Sequence, residues 1–579
     1  MSPRPSGTLL LLAALVSACA TTPATTPASS PGATAAPRFS IRLTHLPGDE
    51  GWEVHYRLPA PLRSVLFERR GFGLRQQHWT VLSPAGARLE PRENTDALVA
   101  ADGGVLEEVR IRVAPHAVKP EKGYQPLVPY ARGGVLAFTG QLNVQPDPEP
   151  KAPFENRFAL VPLPGERVVV LGRAYEGGVE DLLSPEGTYA FFGTVSPLST
   201  EHLTAVVDPG LPSWLWQTVS DTLPRLFQLY AERTGYPLTF KPTVFVSYGE
   251  EPRPRSIVTN GGTLPDVVQM ELRLGSAYQA ENDPVAADRL FQLLAHEAAH
   301  LWNGQLIAHD VEGGDWMHEG SADAFAYRAL RDLGHISEPA YRARLDMALG
   351  QCLLGLQGKP LRAAPREGRH RASYACGSTL QLLAELSARK KDPRADIFSL
   401  WRGVFDAAGK SGRYDEPMLL GAFARGGVSE RRIAEMKALL DGPTQHADAV
   451  LVSALQEEGV SLRRSCDRAP ADHQQLFIQR ALGHALASEC GPNVRVRPEE
   501  GGAVVAATCK TLGDRPKVTS AAGLAVSPDA FALYAAIAQK CEQDGAVLLG
   551  VVGRSEPVRV PCGKLLPAQP PCVFIEKLP

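Results

Sequence analysis

Leu293-Leu294-Ala295-His296-Glu297-Ala298-Ala299-His300-Leu301-Trp302-Asn303 is the stretch on which the reading of this chain turns. It sits in a strongly helical pattern. His296 and His300 are four residues apart, so both imidazoles project from one helix face and can share one ion. Glu297 stands beside them, placed to reach a water on that ion. Two neutral imidazoles leave zinc short of a ligand, and the missing one is usually a carboxylate.

Such a carboxylate follows. In Trp316-Met317-His318-Glu319-Gly320-Ser321-Ala322-Asp323, Glu319 comes 18 residues after the His300 position, counting those between. The turn-rich Gly313-Gly314-Asp315 lets the chain reverse, so a second helix can lie against the first. Two histidines and one glutamate make a zinc set with the fourth position open for water. Asp323, one helical turn beyond Glu319, can accept from the free ring nitrogen of a ligand histidine and fix its tautomer. The competing reading is a core helix with two satisfied histidines and a solvated glutamate. His318, beside the ligand, is read as packing.

Outward from this segment the texture changes in both directions. Residues 38–204 read as short alternating strands separated by proline and glycine clusters, a β-rich sandwich or saddle. From about residue 205 a helix at Leu211–Arg233, a buried strand beginning at Thr243 and the alternating run Val267–Leu274 precede helices from Pro284 to about Leu440. This is an α+β order. In the alternating run, Val268, Met270, Leu272 and Leu274 share one face, which predicts an edge strand with its other face wet. Residues 443–579 mix helix and strand signals and hold six of the nine cysteines.

The N-terminus, MSPRPSGTLLLLAALVSAC, has an early arginine, a short apolar run and small residues, the parts of a secretory signal. Val16-Ser17-Ala18-Cys19 resembles a bacterial lipobox, which implies lipidation at Cys19. Residues 20–37 are rich in Pro, Thr, Ala and Ser and read as a disordered tether. No later stretch is long and apolar enough for a membrane helix, so the lipid anchor is the expected membrane contact. An exported lipoprotein of the cell envelope, on the outer membrane, is the expected location. With Cys19 set aside, eight cysteines remain, an even number suited to disulfides, three of them in the C-terminal region.

Over 579 residues, 44% are hydrophobic and 21% charged, which excludes wholesale disorder. The net charge of −3 leaves no basic excess for phosphates, which argues against nucleic-acid binding.

HEAAHLWNGQ followed by WMHEG resembles the aminopeptidase N family of gluzincin metallopeptidases, over about residues 205–425. The resemblance implies a thermolysin-like catalytic domain behind an N-terminal β saddle, one catalytic Zn2+, and a peptide or protein substrate. It also implies two further elements. The family's Tyr-Glu-Lys-Gly segment is matched at Tyr374 and Gly377 in Ser373-Tyr374-Ala375-Cys376-Gly377, 55 residues after Glu319. Its tyrosine donates to the tetrahedral intermediate. The family's Gly-x-Met-Glu-Asn edge strand, whose glutamate holds the substrate amine, is matched only at Met270 and Glu271, 25 residues from Glu271 to His296. The missing glycine and asparagine weigh against strict aminopeptidase action.

The expected fold is thus multidomain α+β: a signal at 1–19, a tether at 20–37, a β-rich domain at 38–204, a gluzincin domain at 205–442 and a small mixed α/β accessory domain at 443–579. Expected function is zinc-dependent peptide hydrolysis, with His296, His300 and Glu319 on the metal and Glu297 as general base. Rival readings are an endopeptidase or glycyl-aminopeptidase relative, and a lipid-anchored binding or scaffold protein with a vestigial site.

Overall fold

The structure is a computed structural model that describes residues 36–48, 51–114, 124–147, 153–254, 256–279, 283–309, 313–356, 358–442, 447–467, 469–491, 494–526, 529–563, 566 and 571–579. Cys19, the signal and all but the last two residues of the tether lie outside these. Among the described residues no helix is long and apolar enough to cross a membrane.

The molecule is mixed α+β and built in three parts. The first is all β apart from short helical turns. A six-stranded sheet runs in the order Val179–Leu183, Glu155–Val161, Arg38–His45, Trp52–Leu62, Leu106–Val113, Trp79–Ser83. Strict alternation in Arg38–His45 sends Phe39, Ile41 and Leu43 inward and leaves Arg38, Ser40 and Arg42 wet. A five-stranded sheet, with Tyr189–Gly193 and Gly134–Phe138 near its middle, is different. Ala190 and Phe192 join the first core, while Tyr189 and Phe191 pack with Val206, Phe245, Leu264 and Val267 of the next part. A strand covered on both faces reads as a continuous apolar run, and Tyr189–Gly193 is buried throughout.

The second part carries a five-stranded sheet in the order Leu198–Ser199, Thr204–Val207, Thr243–Glu250, Val267–Leu274, Ile257–Leu264. The first two strands place the start of this part near residue 198, a few residues before the boundary expected at 205. Helix α1 (Ser213–Thr234) and helix α2 (Pro284–His300) cover one face of the sheet. Asp283 caps α2 by accepting from the Val285 and Ala286 amides, with Pro284 in the first turn. Helices α3 (Asp315–Asp332), α4 (Glu338–Leu356), α5 (His370–Arg389) and α6 (Ile397–Ala408) complete the same core.

The edge strand is a correction. Val267–Leu274 is internal, paired in parallel with Thr243–Glu250 and antiparallel with Ile257–Leu264. Its supposedly wet face is covered by the β part, where Val267 and Gln269 are buried. The true edge is Ile257–Leu264, whose Thr259-Asn260-Gly261-Gly262-Thr263 reads as a turn by composition. Tight packing explains the glycines: a Cβ on Gly262 would lie 3.1 Å from the Tyr124 ring, and one on Gly261 would lie 3.2 Å from Met270 Sδ.

In the third part, α7 (Ala471–Ala485) and α8 (Ala530–Asp544) pack on a sheet that includes Gly502–Val505, Lys517–Ala521 and Ala546–Val551. Here too the expected boundary moves. Leu451, Leu455, Val460 and Ile575 belong to the core of the second part, so the independent core begins near α7. Ser461–Arg463 pairs antiparallel with Phe574–Lys577, and Cys466–Cys572 closes this base. The eight cysteines other than Cys19 all pair: Cys490–Cys509 and Cys541–Cys562 lie in the third part, and Cys352–Cys376 joins α4 to α5.

Candidate metal centre

Helix α2 delivers His296 and His300 from its last two turns and then loosens into a π-helical turn, Leu301–Leu306. That turn brings Asn303 back beneath His300. Helix α3 brings Glu319 opposite. The Nε2 atoms of His296 and His300 are 3.1 Å apart, and Glu319 Oε2 is 3.2 and 3.3 Å from them. Among the described residues this is the one cluster of His, Cys, Asp and Glu compact enough to hold an ion.

The hydrogen bonds behind the triangle decide what it can hold. His296 Nδ1 donates to Asp323 Oδ1 at 2.9 Å, a carboxylate that only accepts. His300 Nδ1 donates to Asn303 Oδ1 at 3.1 Å. The Asn303 amide cannot be turned round, because its Nδ2 donates to the His318 carbonyl and to Ser321 Oγ, each at 2.7 Å, while Ser321 Oγ donates to Met317 O. With both Nδ1 protons committed, two Nε2 lone pairs and a carboxylate oxygen face one point. A shared proton bridges only two of these atoms. A tetrahedral ion with bonds of about 2.0 Å would set its ligands about 3.3 Å apart, which the triangle matches. The residues present therefore fit zinc.

Around the triangle, charge is strongly organised. Burial pushes the Glu319 carboxyl up, but hydrogen bonds and charge from His296 and His300 outweigh it and hold it well below the usual range. Burial disfavours a charged His296, yet Asp323 and Glu319 raise its pKa well above the ordinary value. His318 stacks on His300 with ring centroids 4.0 Å apart, and burial followed by the His300 charge lowers its pKa to about 3. It is a neutral packing ring at pH 7, pressed so close that a Cβ on Gly304 would lie 2.7 Å from its Cε1.

Tyr374, in the first turns of α5, lies parallel to the His296 ring at 5.8 Å and faces the same cavity as Glu319. Burial, then the Glu319 charge, push its pKa up, so the phenol keeps its proton. Glu297 points to the edge strand, where Thr263 Oγ1 lies 3.0 Å from Glu297 Oε2 and 2.8 Å from the Glu297 carbonyl.

A cavity of 450 Å³ opens over these groups, lined by Gly262 and Thr263 of the edge strand and by Glu186 from the β part, with His296, Glu297 and Tyr374. Met270 and Glu271 do not line it. Met270 is fully buried in the core. Glu271 turns to the opposite face of the sheet, where Asn260 Nδ2 donates to its Oε2 at 3.2 Å and Arg273 Nε is 3.9 Å away. The amine-anchor assignment of Glu271 is thereby corrected, since the strand that carries it is internal. Sequence reading missed Asn303, Thr263 and Glu186. Asn303 is one turn from His300 and was within reach of the same helical argument. Thr263 and Glu186 come from distant strands and loops and carry no local signal.

Neither a protein-family model nor a curated protein matches the chain. Solved structures do. An aminopeptidase N family protein from Idiomarina loihiensis superposes with a TM-score of 0.60 at 13% identity, over 93% of this chain and 98% of that one. An M1 zinc metallopeptidase from Deinococcus radiodurans, solved with a Tyr-Ser-Ala substrate, reaches a TM-score of 0.38 at 15% identity, over 71% of this chain and 94% of that one. The His296, His300 and Glu319 triangle thus stands within a chain whose multidomain α+β fold is that of the aminopeptidase N family protein.

Proposed function

We propose that this chain is a zinc metallopeptidase that hydrolyses peptide bonds in an aminopeptidase-like manner. The observation that carries the reading is the triangle of His296 Nε2, His300 Nε2 and Glu319 Oε2, with both Nδ1 protons already committed. Zinc held there would supply Lewis acidity, polarising the scissile carbonyl and acidifying the attacking water towards pH ~7.

The rest belongs to the chain. Glu297 takes a proton from the water as its oxygen bonds to the carbonyl carbon, and passes that proton to the amine nitrogen as the C–N bond breaks. The Thr263 hydroxyl holds the Glu297 carboxylate in one orientation. Tyr374, kept protonated, donates to the oxygen that becomes negative in the tetrahedral state. The outer edge of Ile257–Leu264 offers backbone groups for an extended peptide to add as a strand. Glu186, exposed at the cavity wall, offers the carboxylate for a free amine that Glu271 does not. The position of Glu271 on the far face also keeps an endopeptidase reading open as the second choice.

Metal analysis of the purified chain, paired with cleavage of matched free-amine and N-acetylated peptides, tests this reading. One zinc per chain and preference for the free amine are expected. Equal cleavage of both peptides favours the endopeptidase. A chain without near-stoichiometric zinc is a binding or scaffold protein.

We further propose that the chain is an exported lipoprotein anchored through Cys19, a reading that the pairing of the other eight cysteines supports. Palmitate labelling of the native chain that is lost in Cys19→Ala is the expected result.

A further inference from the structure

A second and larger cavity, 1440 Å³, meets the first at Tyr374. Helices α2, α4 and α5 wall it on one side and α7 of the third part on the other. It also reaches Asp323, the residue bonded to His296.

The two cavities differ in charge. Among the described residues, the smaller is lined by the carboxylates Glu186, Glu297 and Glu319 and by no lysine or arginine. The larger is lined by Arg289, Arg344 and Arg371. It also has four aspartates, but three are engaged. Asp283 caps α2, Asp288 is bonded to Arg344, and Asp323 accepts from His296. Arg344 is taken up by Asp288, which leaves Arg289 and Arg371 as the cations of this cavity, with Asp472 also on its wall.

Arg371 is the best placed of these cations. It precedes Tyr374 by three residues on α5, so the two side chains share a helix face about 5–6 Å apart at Cβ. It is exposed to the cavity, and among the described residues no carboxylate pairs with it. Its surroundings are cationic as well. The pKa of the nearby Arg480 is lowered first by burial and then, against Tyr534, by the charges of Arg369 and Arg371. Arg344 keeps a buried Nη1 without a hydrogen-bond partner.

An unpaired guanidinium one turn from the oxyanion donor, in a cavity that shares Tyr374 with the site, can receive an anion. Resting on the peptidase reading above, we propose that Arg371 reads a carboxylate on the C-terminal side of the scissile bond, so that the substrates are short peptides. A sphere of this volume is about 14 Å across, room for roughly four extended residues. The amine end of such a peptide lies towards Glu186 and its carboxylate end towards Arg371. The carboxylate comes from the free C-terminus or from an acidic side chain at that position.

The test compares three tripeptides on the zinc-loaded full chain: a free acid, its C-terminal amide, and an amide with glutamate as the last residue. Both kcat/KM and the affinity of each peptide for the Glu297→Gln variant are measured. The free acid is expected to exceed the amide by about tenfold or more in both, as a charge-assisted bond implies. Arg371→Gln should bring the acid-to-amide ratio close to one, and Arg371→Lys should restore part of it. A glutamyl amide that matches the free acid identifies the side chain as the source, and one that matches the plain amide identifies the terminus. Equal handling of all three by the wild type overturns the proposal, as does an acid preference that survives Arg371→Gln. Should no peptide be cleaved at all, the peptidase reading fails, while the affinity ratios still decide the role of Arg371.

Discussion

Gly320 of α3 and Gly377 of α5 meet backbone to backbone: a Cβ on Gly377 would lie 2.7 Å from the Gly320 Cα and would also strike the Trp316 carbonyl. This crossing sets how far Tyr374, one turn earlier on α5, stands from Glu319, which directly precedes Gly320. The glycine after Glu319 and the glycine of the tyrosine segment are two halves of one contact.

Because each neighbour is backbone, neither alanine can be absorbed by a rotamer change. Gly320→Ala and Gly377→Ala should each destabilise the protein by at least the ~3 kcal/mol end of overpacking costs. Denaturant unfolding measures this. A stable variant would show that the helices part freely, and its Tyr374 would be expected to stand further from the metal with kcat reduced.

Glu297→Gln keeps the shape of the side chain and removes the proposed base. Zinc content should stay at one per chain while turnover is lost. Thr263→Val leaves the Glu297 carboxyl in place but unoriented, and a smaller fall in kcat is expected. Full activity in Glu297→Gln would refute the assigned base.

Tyr374→Phe removes one hydrogen-bond donor at a position where the proposed reaction develops negative charge. By the usual worth of such donors, kcat should fall by about 10²–10³ with KM little changed. A rise in KM alone would mean that the phenol binds ground-state substrate instead.

Asn303 and Asp323 hold the imidazoles rather than the ion. Asn303→Ala and Asp323→Asn should weaken zinc affinity by about 10–100-fold, read by competition with a chelating dye. In Asp323→Asn the amide can turn to donate to His296 and reverse its tautomer, so that variant should be the worse of the two at equal burial.

Cys352–Cys376 ties α4 to α5 two residues past Tyr374. Replacing both cysteines with alanine should cost about 3 kcal/mol, the worth of closing a loop of this length. Reduction of the wild type by dithiothreitol should lower kcat in step with unfolding stability.

How far the sequence reaches depends on the distance over which each signal acts. His296, His300 and Asp323 were legible because helical periodicity alone puts them on the right faces. Glu319 needed only a short loop between two helices. The edge strand was not legible. Val268, Met270, Leu272 and Leu274 alternate like a strand with one wet face, but Tyr189 and Phe191 of the β part lie against the sheet on that side. The real edge owes its glycines to Tyr124 and Met270, residues that no local pattern connects with it. Glu186 was out of reach for the same reason: only the docking of one sheet on another brings it to the cavity.

The chain crosses between the second and third parts at one base, where Ser461–Arg463 lies beside Phe574–Lys577 and Cys466–Cys572 locks the pair. Asp346 of α4 fastens the same base, accepting from the Ile575 amide at 2.6 Å and bonding His473 at 2.9 Å. Both crossings of the chain thus share a single doorway. Everything between them is a cassette that can be exchanged without rerouting the backbone, and the α7 wall of the large cavity travels with it. The candidate metal centre and one wall of the cavity beside it thus belong to separate segments of the chain.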